Sequence, residues 1–479
     1  MKKFIKDHKY LLLTVLFIIL SFLIFGLNSF HNNIWYDEAH QMLLNRLSVL
    51  DIISESKNDT SGPLYAIILK LVTGIFGSSL PVARLTSLAI FSIIFILAFY
   101  PIRRLYNLKT STIFSIIILF VGPSFFASIE IRNYSLALVS TLGATIYSLL
   151  YLKENKTSDL LKYFLFSIAA LYSHVYAMIS ILFLIILNSI YSLISKKGRK
   201  IIIANIILIL CFIPWLNVIL NSQKGRVEQE FWVTKPTMNT LIESIKNLLT
   251  QNMVINYILL AILIMSILIS IIRKKELKTI LYLLVPSIIC LAFFYIWSLY
   301  KTPLYTAKYI VPVCGIIYLI IAKILANNKL TVPTILFIVL LIPTFITNYK
   351  YEKSIIDDNE TRAMVEFIQY VPTKQKVFYN TYEFGLGISE YYFPNSKHYI
   401  KPNSNISLTG PKIFGELITN KKMTEEYIIA YTYKNESEYN LNELFEEGYE
   451  IQASHPFDIR YNEGCRIYIL KKKTMLQYN

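Results

Sequence analysis

Apolar residues run almost unbroken through long stretches as far as residue 348, as in LLLTVLFIILSFLIFGL from Leu11 and TILFIVLLIPTFITNY from Thr334. Stretches of this kind match the roughly 20 residues a helix needs to cross about 30 Å of hydrocarbon. They predict eleven spans, near 10–28, 80–101, 111–127, 135–152, 160–173, 175–195, 201–219, 254–272, 279–299, 309–326 and 331–347. The apolar stretch 61–78, SGPLYAIILKLVTGIFGS, carries Lys70 and three glycines, and reads as a helix lying in or dipping into the membrane interface. Spans five and six are joined by almost nothing around Ser173-His174, so that corner reads as close to the membrane surface.

Beyond residue 348 the rhythm changes. Charges become frequent and apolar runs short. KVFYN, EYIIAYTY, EIQASHPF and CRIYILKK read as strands, and TRAMVEFIQYV and LNELFEEGY as helices. The expected architecture is a polytopic α-helical membrane protein with a C-terminal α/β domain, divided as 1–348 and 349–479. No strong internal repeat is visible.

Composition sharpens this picture. Hydrophobic residues make up 54% and charged residues 16% of the 479, against about 25% charged in soluble domains. The N-terminal run, with Lys2, Lys3, Lys6 and Lys9 ahead of it, resembles a signal peptide. It is too long, and it lacks a small-x-small cleavage site, so it reads as an uncleaved first span. Three cysteines lie in apolar runs and Cys465 stands alone, which leaves no disulfide framework or CxxC pair.

The net charge of +16 comes from the membrane part, with 31 basic and 13 acidic residues before position 349 and 16 against 18 after it. It is not a nucleic-acid signature. With the N-terminus inside, Lys and Arg concentrate in the inner loops, including Arg103-Arg104, Lys196 to Lys200 and Arg273-Lys274-Lys275. That bias predicts a cytoplasmic N-terminus and, after an odd number of spans, an extracytoplasmic C-terminal domain. Low Ala and Gly with high Ile, Asn and Lys reads as an AT-rich prokaryotic genome, hence a plasma membrane.

Scarcity makes the acids informative. Asp7, Glu154, Asp159 and Glu276 moderate basic inner loops, and Asp51, Glu55, Asp59 and Glu243 fall in soluble-looking loop sequence. Glu228 and Glu230 belong to a second large outer loop, 220–252, with Lys224, Arg226, Phe231 and Trp232. Asp37 and Glu38 in WYDEAH, and Glu130 in IEIRNY, remain as candidates, because an ionisable group in an apolar corner is expensive. The plainer readings are helix capping for Asp37-Glu38 and an interface ion pair for Glu130 with Arg132. His174 is either a satisfied interfacial residue or a ligand. Lys308, beside Tyr309 at the start of span ten, either snorkels to the interface or binds an anionic headgroup. A carboxylate here could accept a proton from a hydroxyl, and the cations could hold a departing phosphate.

The ordered set WYDEAH, SGPLYAIILKLVTGIFGSSLPVARLTSLAIF, IEIRNYSLAL, ALYSHVYAM, FWVTKPT and AKYIVPV resembles the membrane glycosyltransferases of the GT-C superfamily. The likeness is to the family 39 branch, with protein O-mannosyltransferases and lipid A aminoarabinose transferases, and it covers about 1–348. It implies transfer of one sugar, hexosyl or pentosyl, from a polyprenyl-phosphate donor to an acceptor hydroxyl outside the membrane, with inversion. The acceptor would be a lipid, glycan or protein. By the resemblance Asp37 is the general base, with Glu38 beside it and Glu130 as the second acid. Arg132, Lys308, Tyr309 and His174 would serve the donor phosphate. The chain departs in Ser61-Gly62-Pro63, where many members have His-Pro-Pro, and in Lys308, where many have Arg. Lys is a point charge without the bidentate fork of Arg. Metal use varies across the superfamily, and no metal cluster stands out here, so a divalent cation is left open. A secondary transporter or lipid flippase is the alternative. It would favour repeated halves and ionisable groups near the bilayer midplane. A membrane-anchored assembly or sensor protein is a third reading.

Overall fold

The computed structural model describes the chain except residues 1, 58–60, 224–234, 247, 251, 273–276, 327–329, 358–359, 381–382, 401–412, 415, 419–421, 434–440, 459–464 and 474–479. The core of the second large loop, with Lys224, Arg226, Glu228, Glu230, Phe231 and Trp232, therefore lies outside the described residues. Contacts divide the chain into two units. One comprises Met1–Phe30, Thr60–Val227 and Phe231–Glu352, and the other His31–Asp59 with Lys353–Asn479.

The first unit is helical. Among the described residues seven helices are long and apolar enough to cross a membrane, and a bent pair makes an eighth. Each of the eleven segments read as spans falls on a helix or helix pair, Thr157–Leu171 being short at 15 residues. The protein is thus a multi-pass membrane protein with a helical body. Two of the acids read as moderating basic loops are engaged. Arg104 spans Glu154 at 3.1 Å and the buried Asp159, and Asn155 between them takes a left-handed conformation that ends the Tyr134–Glu154 helix.

The third span departs from a straight crossing. It is two helices, Leu108–Phe120 and Gly122–Ile129, bent by 75°. Pro123 is the cause: it has no N–H to give, and its ring would strike the carbonyl four residues back. Val121 becomes extended and a new helix starts with Pro123 in its first turn. The exposed backbone groups are closed by neighbours. Gly122 N–H donates to Leu249 O at 3.1 Å, and the buried Asn348 amide donates to Phe120 O and Leu249 O, both at 3.1 Å. Asn348→Leu removes both side-chain bonds while keeping the bulk, and buried carbonyls lose a partner. The expected result is a loss of about 2 kcal/mol, read as a lower thermal midpoint of the detergent-solubilised protein. An unchanged midpoint would show that Asn348 does not hold the break.

The second unit contains a six-stranded sheet of β1 Val377–Asn380, β2 Lys397–Ile400, β3 Glu416–Ile418, β4 Tyr427–Tyr433, β5 Tyr449–Phe457 and β6 Cys465–Lys472. Their order is β3-β2-β1-β4-β6-β5. β3, β2, β1 and β4 run parallel to one another, while β6 runs antiparallel to β4 and β5. A parallel β1–β2 pair needs a crossover, and the helix Glu383–Tyr392 supplies it. One sheet face buries Val377, Tyr379, Tyr399, Ile428 and Leu470 with Leu441 and Leu444. On the other, Tyr431 meets Met364 of the Thr361–Gln369 helix. The expected strands and helices of this region are present. β2, β3 and the Glu383–Tyr392 helix were not anticipated.

Candidate functional site

Four motifs that are distant in sequence converge in the helical unit. The short turn between Gly122–Ile129 and Tyr134–Glu154 holds Glu130 and Arg132, both buried, with Arg132 N–H donating to Glu130 O at 2.7 Å. Tyr65, near the start of the Leu64–Phe76 helix, reaches this turn through Ser87. The two hydroxyls lie 2.6 Å apart, and Ser87 Oγ donates to Glu130 O at 2.7 Å.

The Ser173-His174 corner forms the next side. Ser61 and His174 make an isolated antiparallel bridge, with Gly62 N–H on Ser173 O at 2.6 Å and Leu64 N–H on Tyr172 O at 3.2 Å. The Asn133 amide also donates to Ser173 O. Gly62 is required by this approach, because a Cβ on it would stand 2.2 Å from Tyr172 O.

His174 caps the Val175–Ser195 helix, its Nδ1 accepting the Tyr176 N–H at 3.1 Å. In the neutral ring this puts the proton on Nε2. The ring lies among Tyr134, Tyr176 and Tyr309, at 5.7, 5.8 and 5.1 Å between centroids.

The fourth motif arrives on a tied loop. Ser298 Oγ accepts the N–H groups of Leu304 and Tyr305, both at 2.8 Å, and Tyr176 OH donates to Leu304 O at 3.1 Å. Thr306 then caps the single turn Ala307–Ile310 by accepting the Lys308 N–H. Tyr309 is buried, and the half-buried Lys308 places Nζ 5.4 Å from the Phe126 ring centre and 5.8 Å from that of Tyr134. Aromatic faces attract the ammonium and hold it near the Glu130–Arg132 turn.

Thus Glu130, Arg132, His174, Lys308 and Tyr309 are gathered by one set of contacts. Tyr134, Tyr176, Phe126, Ser87 and Asn133 link them, and none of these five was singled out from the sequence. The backbone approach at Gly62 left only a Gly-Pro turn signal. Arg84, in the helix Leu80–Leu97, is buried and donates to Ser29 O at 3.4 Å.

Asp37 and Glu38 belong to the second unit. They occupy the first turn of the helix Tyr36–Leu44, Glu38 buried and Asp37 half-buried. The capping position itself is held by Trp35. Negative charge in a first helical turn is favoured by the exposed N–H groups and the helix dipole. Among the described residues no group of three or more His, Cys, Asp or Glu side chains is placed to hold a metal ion.

The family model described as dolichyl-phosphate-mannose-protein mannosyltransferase matches residues 60–218. That stretch holds three of the four converging motifs. ArnT from Cupriavidus metallidurans bound to undecaprenyl phosphate superposes with a TM-score of 0.65 at 8% identity, over 97% of this chain and 98% of that one. Its apo form gives 0.63 at 9%, over 95% and 97%. An Archaeoglobus fulgidus oligosaccharyltransferase, in complex with Zn and sulfate, gives 0.52 at 10%, over 91% and 69%. Comparison with curated protein sequences gives no match. The resemblance to the aminoarabinose-transferase and O-mannosyltransferase branch of the GT-C glycosyltransferases is borne out, and the fold is the ArnT-like GT-C fold.

Proposed function

We propose that this GT-C-fold protein transfers a single sugar from a polyprenyl-phosphate-linked donor to an acceptor hydroxyl on the outer face of the plasma membrane, with inversion. The observation that carries the reading is the gathering of Arg132, Lys308, His174 and Tyr309 around the Glu130 turn, in a fold whose ArnT relative binds undecaprenyl phosphate. The N-terminus is cytoplasmic and the C-terminal sheet extracytoplasmic.

In this reading Asp37 takes the proton from the acceptor hydroxyl. The freed oxygen pair attacks the anomeric carbon from the side opposite the phosphate, the carbon–oxygen bond to phosphate breaks, and polyprenyl phosphate departs with that electron pair. Arg132 and Lys308 meet the charge that grows on the departing phosphate. Glu130 is the second acid, and Glu38 neighbours the base. Donor and acceptor chains are lipid-soluble or membrane-apposed, which suits a body made of apolar helices.

The test is a donor screen. Purified protein is incubated with radiolabelled polyprenyl-phosphate hexoses and pentoses and with membrane extracts as acceptors, and the labelled product is identified. Transfer from at least one donor is expected. Movement of label across proteoliposomes without any new glycosidic product would support a transporter or flippase instead.

Lys308 supplies a narrower expectation. A hydrogen bond to a charged group contributes about 1.5–3 kcal/mol, so Lys308→Met should lower kcat/KM for the donor about 10–100-fold, in kcat, where the phosphate charge grows, as well as in KM. Lys308→Arg should retain most of the activity. Equal activity of all three in steady-state assays would remove Lys308 from the phosphate site.

A further inference from the structure

We infer that the C-terminal region from Lys353 onward is the seat of the helix Tyr36–Leu44, and that Gly387 and Arg46 are positioning residues for Asp37. This rests on the assignment of Asp37 as the base. The contacts lie within one compact unit and fix the helix at its beginning, its side and its end.

Before the helix, the carbonyls of Asn32 and Ile34 are each taken by the C-terminal region. Tyr392 OH donates to Asn32 O at 3.0 Å and Thr361 Oγ1 to Ile34 O at 2.9 Å. Between them the Asn33 amide donates to Ile356 O at 3.2 Å. After the helix, the Arg46 guanidinium donates to Tyr391 O at 3.1 Å and lies over the Tyr391 ring at 5.7 Å. Along its side, the Tyr36 ring rests on Gly387 so closely that a Cβ there would stand 2.8 Å from ring Cε2 and 2.9 Å from Cδ2. Tyr36 immediately precedes Asp37.

The partner helix, Glu383–Tyr392, is itself anchored. Its buried Glu390 accepts the Asn395 N–H at 3.2 Å and meets His398 Nε2 at 3.1 Å. His398 is buried on β2 and stacks on Phe378 of β1, 5.4 Å between centroids and 13° between planes. A continuous chain of contacts therefore runs from the sheet through Glu390 and Gly387 to the residue beside the base. A base must stand within hydrogen-bond reach of the proton it takes, and an error of about 1 Å can cost about a hundredfold. Carbon atoms at optimal contact lie about 3.5–4.0 Å apart. An alanine at 387 therefore obliges the Tyr36 ring to shift by roughly 1 Å, and that shift loads the first turn of the helix, where Asp37 follows Tyr36.

The test uses the full-length enzyme. Gly387→Ala is expected to lower kcat about 10–100-fold with donor KM within about twofold, because the proposed donor contacts are in the helical unit. The thermal midpoint should fall only a little, since the better helix propensity of Ala, about 1 kcal/mol, offsets part of the roughly 1–3 kcal/mol that overpacking costs. Combining it with Tyr36→Leu should recover activity beyond the product of the two single effects, and Arg46→Ala should repeat the kcat-selective loss. Wild-type kcat in Gly387→Ala, or a loss shared by kcat, KM and midpoint without recovery in the double variant, overturns the inference. Asp37→Asn run alongside separates the two ideas: if it too is fully active, the assignment of the base has failed rather than its seating.

Discussion

Asp37→Asn is expected to lower kcat about 10²–10⁴-fold, the usual contribution of a positioned general base. Asn keeps the shape of the side chain and can still donate and accept hydrogen bonds, but it cannot take up the acceptor proton at working pH. Donor KM should change little, because the phosphate contacts are assigned to Arg132 and Lys308. Asp37→Glu keeps the carboxylate and lengthens its stem by one methylene. Partial activity, about a hundredfold down, is the expected result. Glu38→Gln is the informative neighbour, since Glu38 occupies the same first turn but is more deeply buried. Radiolabel transfer by the purified variants decides the matter. Full activity in Asp37→Asn with a collapse in Glu38→Gln would move the base one residue along the helix.

The second large effect is structural and begins at Gly62. Its substitution by Ala would put a methyl group 2.2 Å from the Tyr172 carbonyl oxygen, and that neighbour is backbone, so it cannot swing aside. Separating the two segments breaks the Gly62 N–H bond to Ser173 O and disturbs the carbonyl that the Asn133 amide also uses. The displacement then passes to the turn carrying Glu130 and Arg132. Overpacking of this kind costs about 1–3 kcal/mol, and misplacement of a reacting group about 10²-fold in kcat/KM. Both are expected in Gly62→Ala, as a lower thermal midpoint and a loss of transfer. Gly74→Ala is the matched control. It lies in the same stretch, in the helix Leu64–Phe76, and a Cβ there meets nothing within 4 Å. A Gly62→Ala protein with normal stability and activity would mean that the Ser61–His174 bridge does not shape the site.

The helical body was legible because lipid imposes a length on every crossing, and apolar length is read directly from the chain. The break in the third span was less so. Its signal is one Gly-Pro pair, while the groups that close it, Asn348 and Leu249, lie more than a hundred residues away. In the C-terminal region β4, β5 and β6 were readable from their β-branched and aromatic runs. The Glu383–Tyr392 helix was hidden by Gly385 and Gly387, poor helix formers, one of which makes room for Tyr36. Candidate acids were legible through scarcity, since thirteen before residue 349 could be weighed one by one. Their surroundings were not. The bridge at Ser61–His174 is made of backbone groups and leaves no residue-type signature. The bonds from Asn33 and Arg46 to the C-terminal region cross more than 300 residues and end on carbonyl oxygens, which every residue possesses.

The bend at Val121 also sets a depth. Leu108–Phe120 has 13 residues, and at 1.5 Å per residue it rises about 20 Å, against a hydrocarbon layer of about 30 Å. Arg103, Arg104 and Lys109 mark where that rise begins. After it the chain turns by 75°, so the following helix runs closer to the plane of the bilayer than across it. The turn with Glu130 and Arg132 therefore gains less height along the axis of Leu108–Phe120 than an unbroken helix would give it. Charges at such a depth are tolerable only when protein encloses them, which accounts for the near-complete burial of both residues. Under the proposed reading, a phosphate on a long isoprenoid would reach this turn without having to leave the membrane.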